Sequence, residues 1–271
     1  MKRTIAALLA LATPLLASAG TVTVKGSDTM VILAQRWAEA YMKKHPGNKV
    51  QVTGGGSGTG IAALLNGTTD VASSSRPIKP DEASKVKQKF GVDAVETVVA
   101  RDGVAIYVNE ANPVKQLTRE QIKAIYMGDV KSWKEVGGPD APIVLYSREN
   151  NSGTYVFFKE HVLENGDFAP EAQTLPGTAA VVNAISKERF GIGYGGAAYA
   201  KGVKELPLVG ADGKPYLPTA DHVKSGRYPL ARPLFVYTRG APAGEAKQLI
   251  DFCLSSEGQG IVTQVGYYPI R

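Results

Sequence analysis

The chain has 271 residues, a formal net charge of +6 and a single cysteine. This length is enough for one large domain or for two lobes with cores of their own. Cys253 has no cysteine partner within the chain, so an internal disulfide is excluded and the fold depends on its hydrophobic core. Basic and acidic residues are interspersed, without the Lys/Arg stripe that a nucleic-acid surface needs, so nucleic acid is not a predicted partner.

Residues 1–19 have the pattern of a removable secretory signal. Lys2 and Arg3 precede an apolar run over residues 5–16, and Ala17-Ser18-Ala19 is a small-x-small cleavage motif. The pattern predicts cleavage after Ala19 and a mature protein in the periplasm. No later segment has about twenty consecutive apolar residues, so stable membrane insertion is not expected.

The first part of the predicted mature chain alternates short strands with helices. Asp28 is in position to act as the N-cap of a helix whose apolar residues recur at helical spacing until Pro46-Gly47. The segment GGGSGTG, residues 54–60, joins the next strand to a second helix. The predicted strands cover residues 22–25, 50–52 and 70–72.

The same alternation continues through the rest of the chain. Thr118 and Gln121 form a predicted capping box for a helix over residues 119–126. This alternation predicts an α/β fold with largely parallel sheets. The other predicted helices run through residues 157–162, 179–187, 245–254 and 257–265, and the other predicted strands cover residues 104–108, 143–146, 191–194 and 234–237.

Three predicted strand-to-helix turns, residues 26–29, 56–60 and 152–154, are rich in glycine, serine and threonine. The first N–H groups of a helix lack partners within the helix, and the helix dipole favours negative charge there. Glycine lets such a backbone approach a ligand closely. Together with Arg148, the three turns suggest convergence on one oxyanion. Serine, threonine and aspartate are also favoured N-caps of any helix, so Ser57 or Asp28 could simply be a cap.

Several enzyme motifs do not match GGGSGTG. A nucleotide P-loop requires Lys after its last glycine, but Ile61 follows Gly60. A dinucleotide fingerprint and a hydrolase nucleophile elbow would both require glycine where the chain has Thr59. The histidines are scattered and have no paired ligand at useful spacing, so the sequence predicts no metal and no cofactor: His45, His161 and His222.

Five blocks of the sequence resemble the periplasmic phosphate-binding proteins of ABC phosphate importers. They cover most of the mature chain in the family's order: KGSDTM, GGGSGTGIAALLNGTTDVASSSRPI, ARDGVAIYVN, LTREQIKAIYMGDVKSW and SRENNSGTYVFF. The resemblance implies the family's two-lobed α/β fold, a type II-like periplasmic binding protein with two parallel-sheet lobes joined by two hinge strands. It places lobe 1 at residues 20–108 plus 229–271, and lobe 2 at residues 109–228.

The same resemblance implies a phosphate site between the lobes. Arg148 is the charged ligand that it implies, and other matching positions supply hydroxyl, carboxylate and backbone N–H groups. These positions are Asp28, Thr29, Ser57, Ser75, Ser152, Gly153 and Thr154, and further candidates are Ser27, Gly58 and Asp102.

Ser75 departs from the family's pattern, because some relatives have an aspartate at this position. That aspartate accepts a proton of phosphate, and a serine hydroxyl is not an obligate acceptor. Phosphate near neutral pH carries protons and sulfate carries none, so a carboxylate in a dry site favours phosphate over sulfate. Asp28 could supply this carboxylate or could only cap its helix, and Asp102 is a second candidate.

The resemblance implies a non-enzymatic function, in which a monomer captures inorganic phosphate by closure of its lobes and delivers it to an ABC permease. Three alternatives stay open. The same fold could bind sulfate, molybdate or tungstate. The protein could be a phosphate sensor without a transporter, or a secreted phosphatase, for which clustered metal ligands would be the distinguishing feature.

Overall fold

The computed structural model describes residues 20–270, so the predicted signal segment lies outside the described residues. The elements begin with β1 (Thr21–Gly26), α1 (Val31–Lys44), β2 (Lys49–Thr53), α2 (Ser57–Asn66), β3 (Val71–Ser74), α3 (Pro80–Phe90), β4 (Ala94–Val108) and α4 (Arg119–Met127). They continue with β5 (Val144–Arg148), α5 (Gly153–His161), β6 (Gln173–Leu175), α6 (Gly177–Lys187), β7 (Gly191–Gly196), β8 (Lys204–Leu206), β9 (Leu208–Val209), β10 (Pro215–Tyr216), α7 (Ala220–Lys224), β11 (Ala231–Arg239), α8 (Gly244–Leu254) and α9 (Ser256–Val265).

The strands and helices predicted from the sequence are present, and the capping box of Thr118 and Gln121 is confirmed at the start of α4. Several parts were not predicted: α3, the first half of β4, the short strands β6, β8, β9 and β10, and the short helix α7. Val86 is the one buried residue of α3, so this helix has little of the apolar periodicity by which the others were found.

The predictions that Asp28 or Ser57 caps a helix are wrong. The N-cap of α1 is Met30, and the N-cap of α2 is Gly56. Neither helix start has a side-chain cap hydrogen bond. Both polar side chains are therefore free to bond elsewhere, and the site described below uses them.

Nine strands of the described chain form one mixed sheet in the order β2-β1-β3-β11-β4-β7-β5-β6, with β8 also paired to β4. At one end, β1 lies parallel to β2 and β3. At the other end, β5 lies parallel to β6 and β7. The centre is antiparallel, since β11 pairs with β3 and β4, and β4 pairs with β7. Two parallel sheets are thus joined through two long antiparallel strands.

Buried apolar residues form two large clusters, and each contains residues from a different part of the long strand β4. One cluster contains residues from 22–100 and 234–267, with Trp37 and Tyr41 among the largest. The other contains residues from 104–230 together with Tyr268, with Tyr126 and Trp133 among the largest. The lobe boundaries given above stay a prediction, and this division of the core supports them.

The sheet determines where the polar turns lie. The parallel strands β1, β2, β3 and β5 are each followed by a turn that contains predicted site residues. The carboxyl ends of parallel strands lie at the same edge of a sheet, where ligands of open α/β folds bind. A bilayer-spanning helix is not found among the helices of residues 20–270.

Candidate functional site

Arg148 is the last residue of β5, and its side chain is 1% exposed. Nη2 donates a hydrogen bond to Asp28 Oδ2 at 3.0 Å, and Nη1 donates to Thr178 Oγ1 at 2.9 Å. Nε is buried without a partner. Burial lowers the pKa of the Arg148 guanidinium from its usual value, and the Asp28 carboxylate acts in the opposite direction. Of the five N–H groups of the Arg148 guanidinium two are used, so the Nε–H group and one N–H group on each terminal nitrogen are left for a ligand.

Asp28 joins two of the glycine-rich turns to this arginine. Its Oδ1 accepts a hydrogen bond from the Gly55 N–H group at 2.7 Å, while Oδ2 accepts from Arg148. The Asp28 side chain is 15% exposed, so water reaches the pair from one side. The carboxylate both holds GGGSGTG in place and compensates the charge of the arginine.

Four hydroxyl groups from separate turns meet in two buried pairs. The Oγ1 atoms of Thr29 and Thr154 are 2.8 Å apart. Ser57 Oγ accepts a hydrogen bond from the Ser75 N–H group at 3.0 Å and lies 3.4 Å from Ser75 Oγ. The four residues are at most 1% exposed. Residues separated by up to 125 positions in the chain thus place hydroxyl groups in one dry region.

Gly153, the first residue of α5, lies directly against the serine pair. A Cβ atom at this position would overlap Ser57 Oγ and would lie 2.7 Å from Ser75 Oγ. Glycine is therefore required by the close approach of the α5 N-terminus to the two serines. Gly60 has a similar role within GGGSGTG, because a Cβ atom there would overlap the backbone of Lys25 at the end of β1.

Three further predicted positions lie at the same turns and have distinct surroundings. Ser152 Oγ caps α5 and accepts a hydrogen bond from the Thr154 N–H group at 3.2 Å. The Gly58 N–H group donates to Asn151 O at 2.9 Å. Ser27 Oγ is buried without a hydrogen-bond partner. Ser152 and Gly58 hold the turns together, whereas the Ser27 hydroxyl is unused.

Asp102 lies on β4 and is fully buried beside Arg232 of β11. Arg232 donates two hydrogen bonds to Asp102 Oδ2, from Nε at 3.0 Å and from Nη2 at 2.8 Å. Burial raises the pKa of Asp102, and the arginine acts in the opposite direction. Arg232 also donates to Ser75 O at 3.1 Å and to Thr154 Oγ1 at 3.0 Å. The ion pair therefore contacts the turn that contains Ser75 and the turn that contains Thr154, and each of these residues belongs to one of the two hydroxyl pairs.

Arg232 and Thr178 were not predicted as site residues. Thr178 follows Gly177 at the start of α6, the same glycine-hydroxyl pattern that marked the other turns, so the pattern could have found it. Arg232 stands at the start of a strand without any local motif. Its partner Asp102 is 130 positions away, and only the pairing of β4 with β11 brings them together.

The assembled site has the chemistry of a small-oxyanion site. It contains two buried guanidinium groups, each paired with a carboxylate, surrounded by hydroxyl groups at helix N-termini. Such an arrangement offers hydrogen-bond donors without a large excess of positive charge. In residues 20–270, no cluster of three or more His, Cys, Asp or Glu side chains is arranged to hold a metal ion.

Comparison with known proteins identifies the family. The model of a PBP superfamily domain matches residues 12–257. The phosphate-binding protein PstS of Pseudomonas aeruginosa is 35% identical over 269 aligned residues, which cover 93% of this chain and 83% of that protein. The chain belongs to the PstS phosphate-binding protein family. The PstS protein of Staphylococcus epidermidis is also 35% identical, over 89% of this chain and 76% of its own length.

Solved structures agree with this PstS assignment. A phosphate ABC transporter substrate-binding protein of Clostridium perfringens, determined with bound phosphate, has a TM-score of 0.84 and 32% sequence identity, and the match covers 93% of this chain and 100% of that one. An ABC-type phosphate transport receptor of Vibrio cholerae has a TM-score of 0.74 and 31% identity, over 91% and 99% of the two chains. The family resemblance and the α/β binding-protein fold predicted from the sequence are confirmed.

Proposed function

We propose that this PstS-family chain binds inorganic phosphate at the turns that follow β1, β2, β3 and β5. The observation that carries the proposal is the environment of Arg148: the guanidinium is buried, held between Asp28 and Thr178, and keeps its Nε–H group unpaired. The relatives described above are named for phosphate, which supports the same ligand.

The proposed ligand groups come from the residues already placed at the site. Arg148 supplies the charged donor, and hydroxyl or backbone N–H groups supply the others. The proposed set is Asp28, Thr29, Ser57, Ser75, Arg148, Ser152, Gly153 and Thr154, with Ser27 as a further hydroxyl. Gly58 is a weaker candidate because its N–H group already donates to Asn151.

The number of donors is sufficient for tight binding. A hydrogen bond to a charged group contributes about 1.5–3 kcal/mol, and micromolar affinity requires about 8 kcal/mol. Five or six such bonds reach this value after the costs of ordering and closure.

Asp28 is the carboxylate that we propose as the acceptor of a phosphate proton. It is partly exposed and stands beside Arg148 in the first glycine-rich turn. Asp102 is fully buried, and its Oδ2 atom already accepts two hydrogen bonds from Arg232. Contact with Arg148, the charged donor of the proposed site, favours Asp28 over Asp102, although Asp102 Oδ1 is buried without a hydrogen-bond partner. A carboxylate at the ligand disfavours sulfate, which has no proton to donate.

Delivery of phosphate to an ABC permease is part of the proposal. The Vibrio cholerae neighbour is described as an ABC-type phosphate transport receptor, which supports this role. We further propose a monomer of two lobes, residues 20–108 plus 229–271 and residues 109–228, that closes on phosphate. Its location is the periplasm, after cleavage at Ala19. Mass spectrometry of the exported protein tests the cleavage site, since a first residue other than Gly20 contradicts it.

The rival functions make different predictions. The relatives are named for phosphate binding or transport, which does not favour another oxyanion or a phosphatase. Titration calorimetry with phosphate, sulfate, molybdate and tungstate tests the proposal, together with an assay of phosphate-monoester hydrolysis. We expect a large heat of binding for phosphate, no binding of the other three anions, and no hydrolysis of the ester. Tighter binding of sulfate, molybdate or tungstate, or turnover of the ester, would overturn the proposal.

A further inference from the structure

Arg232 contacts three separate parts of the chain at the site. Its guanidinium lies between Asp102 on β4, the backbone oxygen of Ser75 and the hydroxyl of Thr154 on α5. Arg232 and Asp102 are also direct register partners in the antiparallel pair of β4 and β11. The residue is 4% exposed, so these contacts are made away from water.

The hydrogen bond to Thr154 constrains the threonine pair. Nη2 of Arg232 can only donate, so Thr154 Oγ1 uses one lone pair as the acceptor at 3.0 Å. The pair of Thr29 and Thr154 hydroxyls shares one further hydrogen bond at 2.8 Å. Two hydroxyls carry two protons, and the bond between them uses one. One O–H group of the pair is therefore left to donate outside it.

We propose that Arg232 is a positioning residue for phosphate, and that it holds the Thr29–Thr154 pair as a hydrogen-bond donor to an unprotonated phosphate oxygen. The inference rests on the phosphate function proposed above. Without Arg232, the lone pair of Thr154 Oγ1 is free, and the pair can present an acceptor to the ligand as readily as a donor. The sequence contains no local motif that marks this arginine.

Asp102 has a supporting role in this arrangement. A guanidinium buried without a counter-charge is costly, and two hydrogen bonds to one carboxylate oxygen fix the plane of the fork. With Nε and Nη2 held on Asp102, the same Nη2 reaches Thr154 and Nη1 reaches Ser75 O. The ion pair thus sets the direction of the donor.

A purely structural role for Arg232 must be separated from this one. The guanidinium also lies over the Phe157 ring, at 5.2 Å from its centroid, and it bonds the Ser75 backbone. Loss of these packing contacts would weaken phosphate binding whether or not Thr154 has a hydroxyl. Loss of the positioning role would weaken binding only when Thr154 Oγ1 is present.

The experiment is a double-mutant cycle of Arg232→Gln and Thr154→Val in the full mature protein, with phosphate affinity measured by calorimetry. We expect Arg232→Gln to weaken phosphate binding about tenfold with Thr154 present, the value of one hydrogen bond to a charged group. In the Thr154→Val background, we expect Arg232→Gln to change the phosphate affinity by less than about twofold. Thr154→Ser is the matched control, because it keeps Oγ and should keep the full effect of Arg232→Gln.

Two outcomes overturn the inference. Equal effects of Arg232→Gln in both backgrounds assign the residue a packing role, and no effect in the wild-type background removes any role in binding. If Arg232→Gln does not fold because Asp102 is left unpaired, Arg232→Gln is combined with Asp102→Asn, so that neither member of the pair is charged, and the combined variant is compared with the wild type in the presence and absence of Thr154→Val. If the wild-type protein binds phosphate, the proposed function holds even when the inference about Arg232 fails. If the wild-type protein does not bind phosphate, both the proposed function and this inference are wrong.

Discussion

Arg148 and Asp28 are 120 positions apart in the sequence and form an ion pair of 3.0 Å, with the arginine side chain almost completely buried. The pair joins the end of β5 to the turn after β1, which belong to opposite ends of the sheet. The two partners are not equivalent, since loss of Asp28 would leave the buried Arg148 charge unpaired, whereas Asp28 is partly exposed to water.

Replacement of Arg148 by alanine is expected to weaken phosphate binding at least about a hundredfold, because two or more charge-assisted hydrogen bonds are lost. The protein should remain folded, since Asp28 is partly exposed and water can solvate it. Calorimetry measures the affinity and circular dichroism the fold. Arg189→Ala, at an exposed position, is the control and should bind as the wild type does. Near-normal affinity of Arg148→Ala would contradict the assignment of the site.

Replacement of Asp28 by asparagine is expected to reduce the preference for phosphate over sulfate by about tenfold or more, because the amide no longer offers an obligate acceptor to the phosphate proton. Affinities for both anions are measured by calorimetry at one pH. Asp221→Asn, at an exposed position of α7, provides a charge-matched comparison. If phosphate affinity and selectivity are both unchanged in Asp28→Asn, Asp28 is not the proton acceptor.

Replacement of Gly153 by alanine is expected to weaken phosphate binding and to lower the melting temperature. The added methyl group would collide with the Ser57 and Ser75 hydroxyls, and overpacking of a buried region costs about 1–3 kcal/mol. Gly260→Ala in α9 is the matched substitution, since no atom lies within 4 Å of its Cβ position. That variant should bind phosphate normally and gain about 0.5–1 kcal/mol in the free energy of unfolding. Identical behaviour of the two variants would exclude the close contact at Gly153.

Glu205 on β8 is expected to make stability depend on pH. Its Oε1 is buried without a partner, and burial, with a smaller contribution from Asp102, raises the pKa of Glu205 to about 7 from the ordinary value of 4.5. Between these pH values the folded protein holds a proton that the unfolded chain has lost. The free energy of unfolding therefore falls as pH rises through this range, and the loss is complete above about pH 7.

Urea denaturation between pH 5 and pH 8 measures this dependence. Glu205→Gln keeps the shape of the side chain and removes its charge, so this variant should be more stable than the wild type at pH 8 and similar to it at pH 5. Glu110→Gln, at an exposed position after β4, is the control and should follow the wild-type curve. Parallel curves for Glu205→Gln and the wild type would show that Glu205 does not titrate in this window.

The local patterns of the sequence were sufficient for most of the secondary structure and for the family. The capping box at Thr118 is a contact between residues three positions apart, so the sequence contains all of its chemistry. The same holds for the glycine-hydroxyl turns, whose order along the chain carried the resemblance to phosphate-binding proteins. Arg148 was identified because it stands beside one of these turns.

The roles of individual side chains could not be read in the same way. Asp28 has the residue type and position of a helix cap, yet its carboxylate bonds Gly55 and Arg148 instead. Ser57 likewise accepts a hydrogen bond from the Ser75 backbone. The hydrogen-bond partner of each side chain is a group that is distant in the chain. Until folding brings that group close, capping the helix and other local hydrogen bonds have similar energies.

The sequence by itself determined the family, the alternation of strands and helices, and which turns carry polar ligands, because these depend on spacing and residue type within short segments. Only the tertiary structure decided which polar groups are paired. The ion pairs of Arg148 with Asp28 and of Arg232 with Asp102 form when the sheet brings β1, β4, β5 and β11 together. Electrostatic and hydrogen-bond partners are set by distance in space, and folding sets that distance across more than a hundred residues of chain.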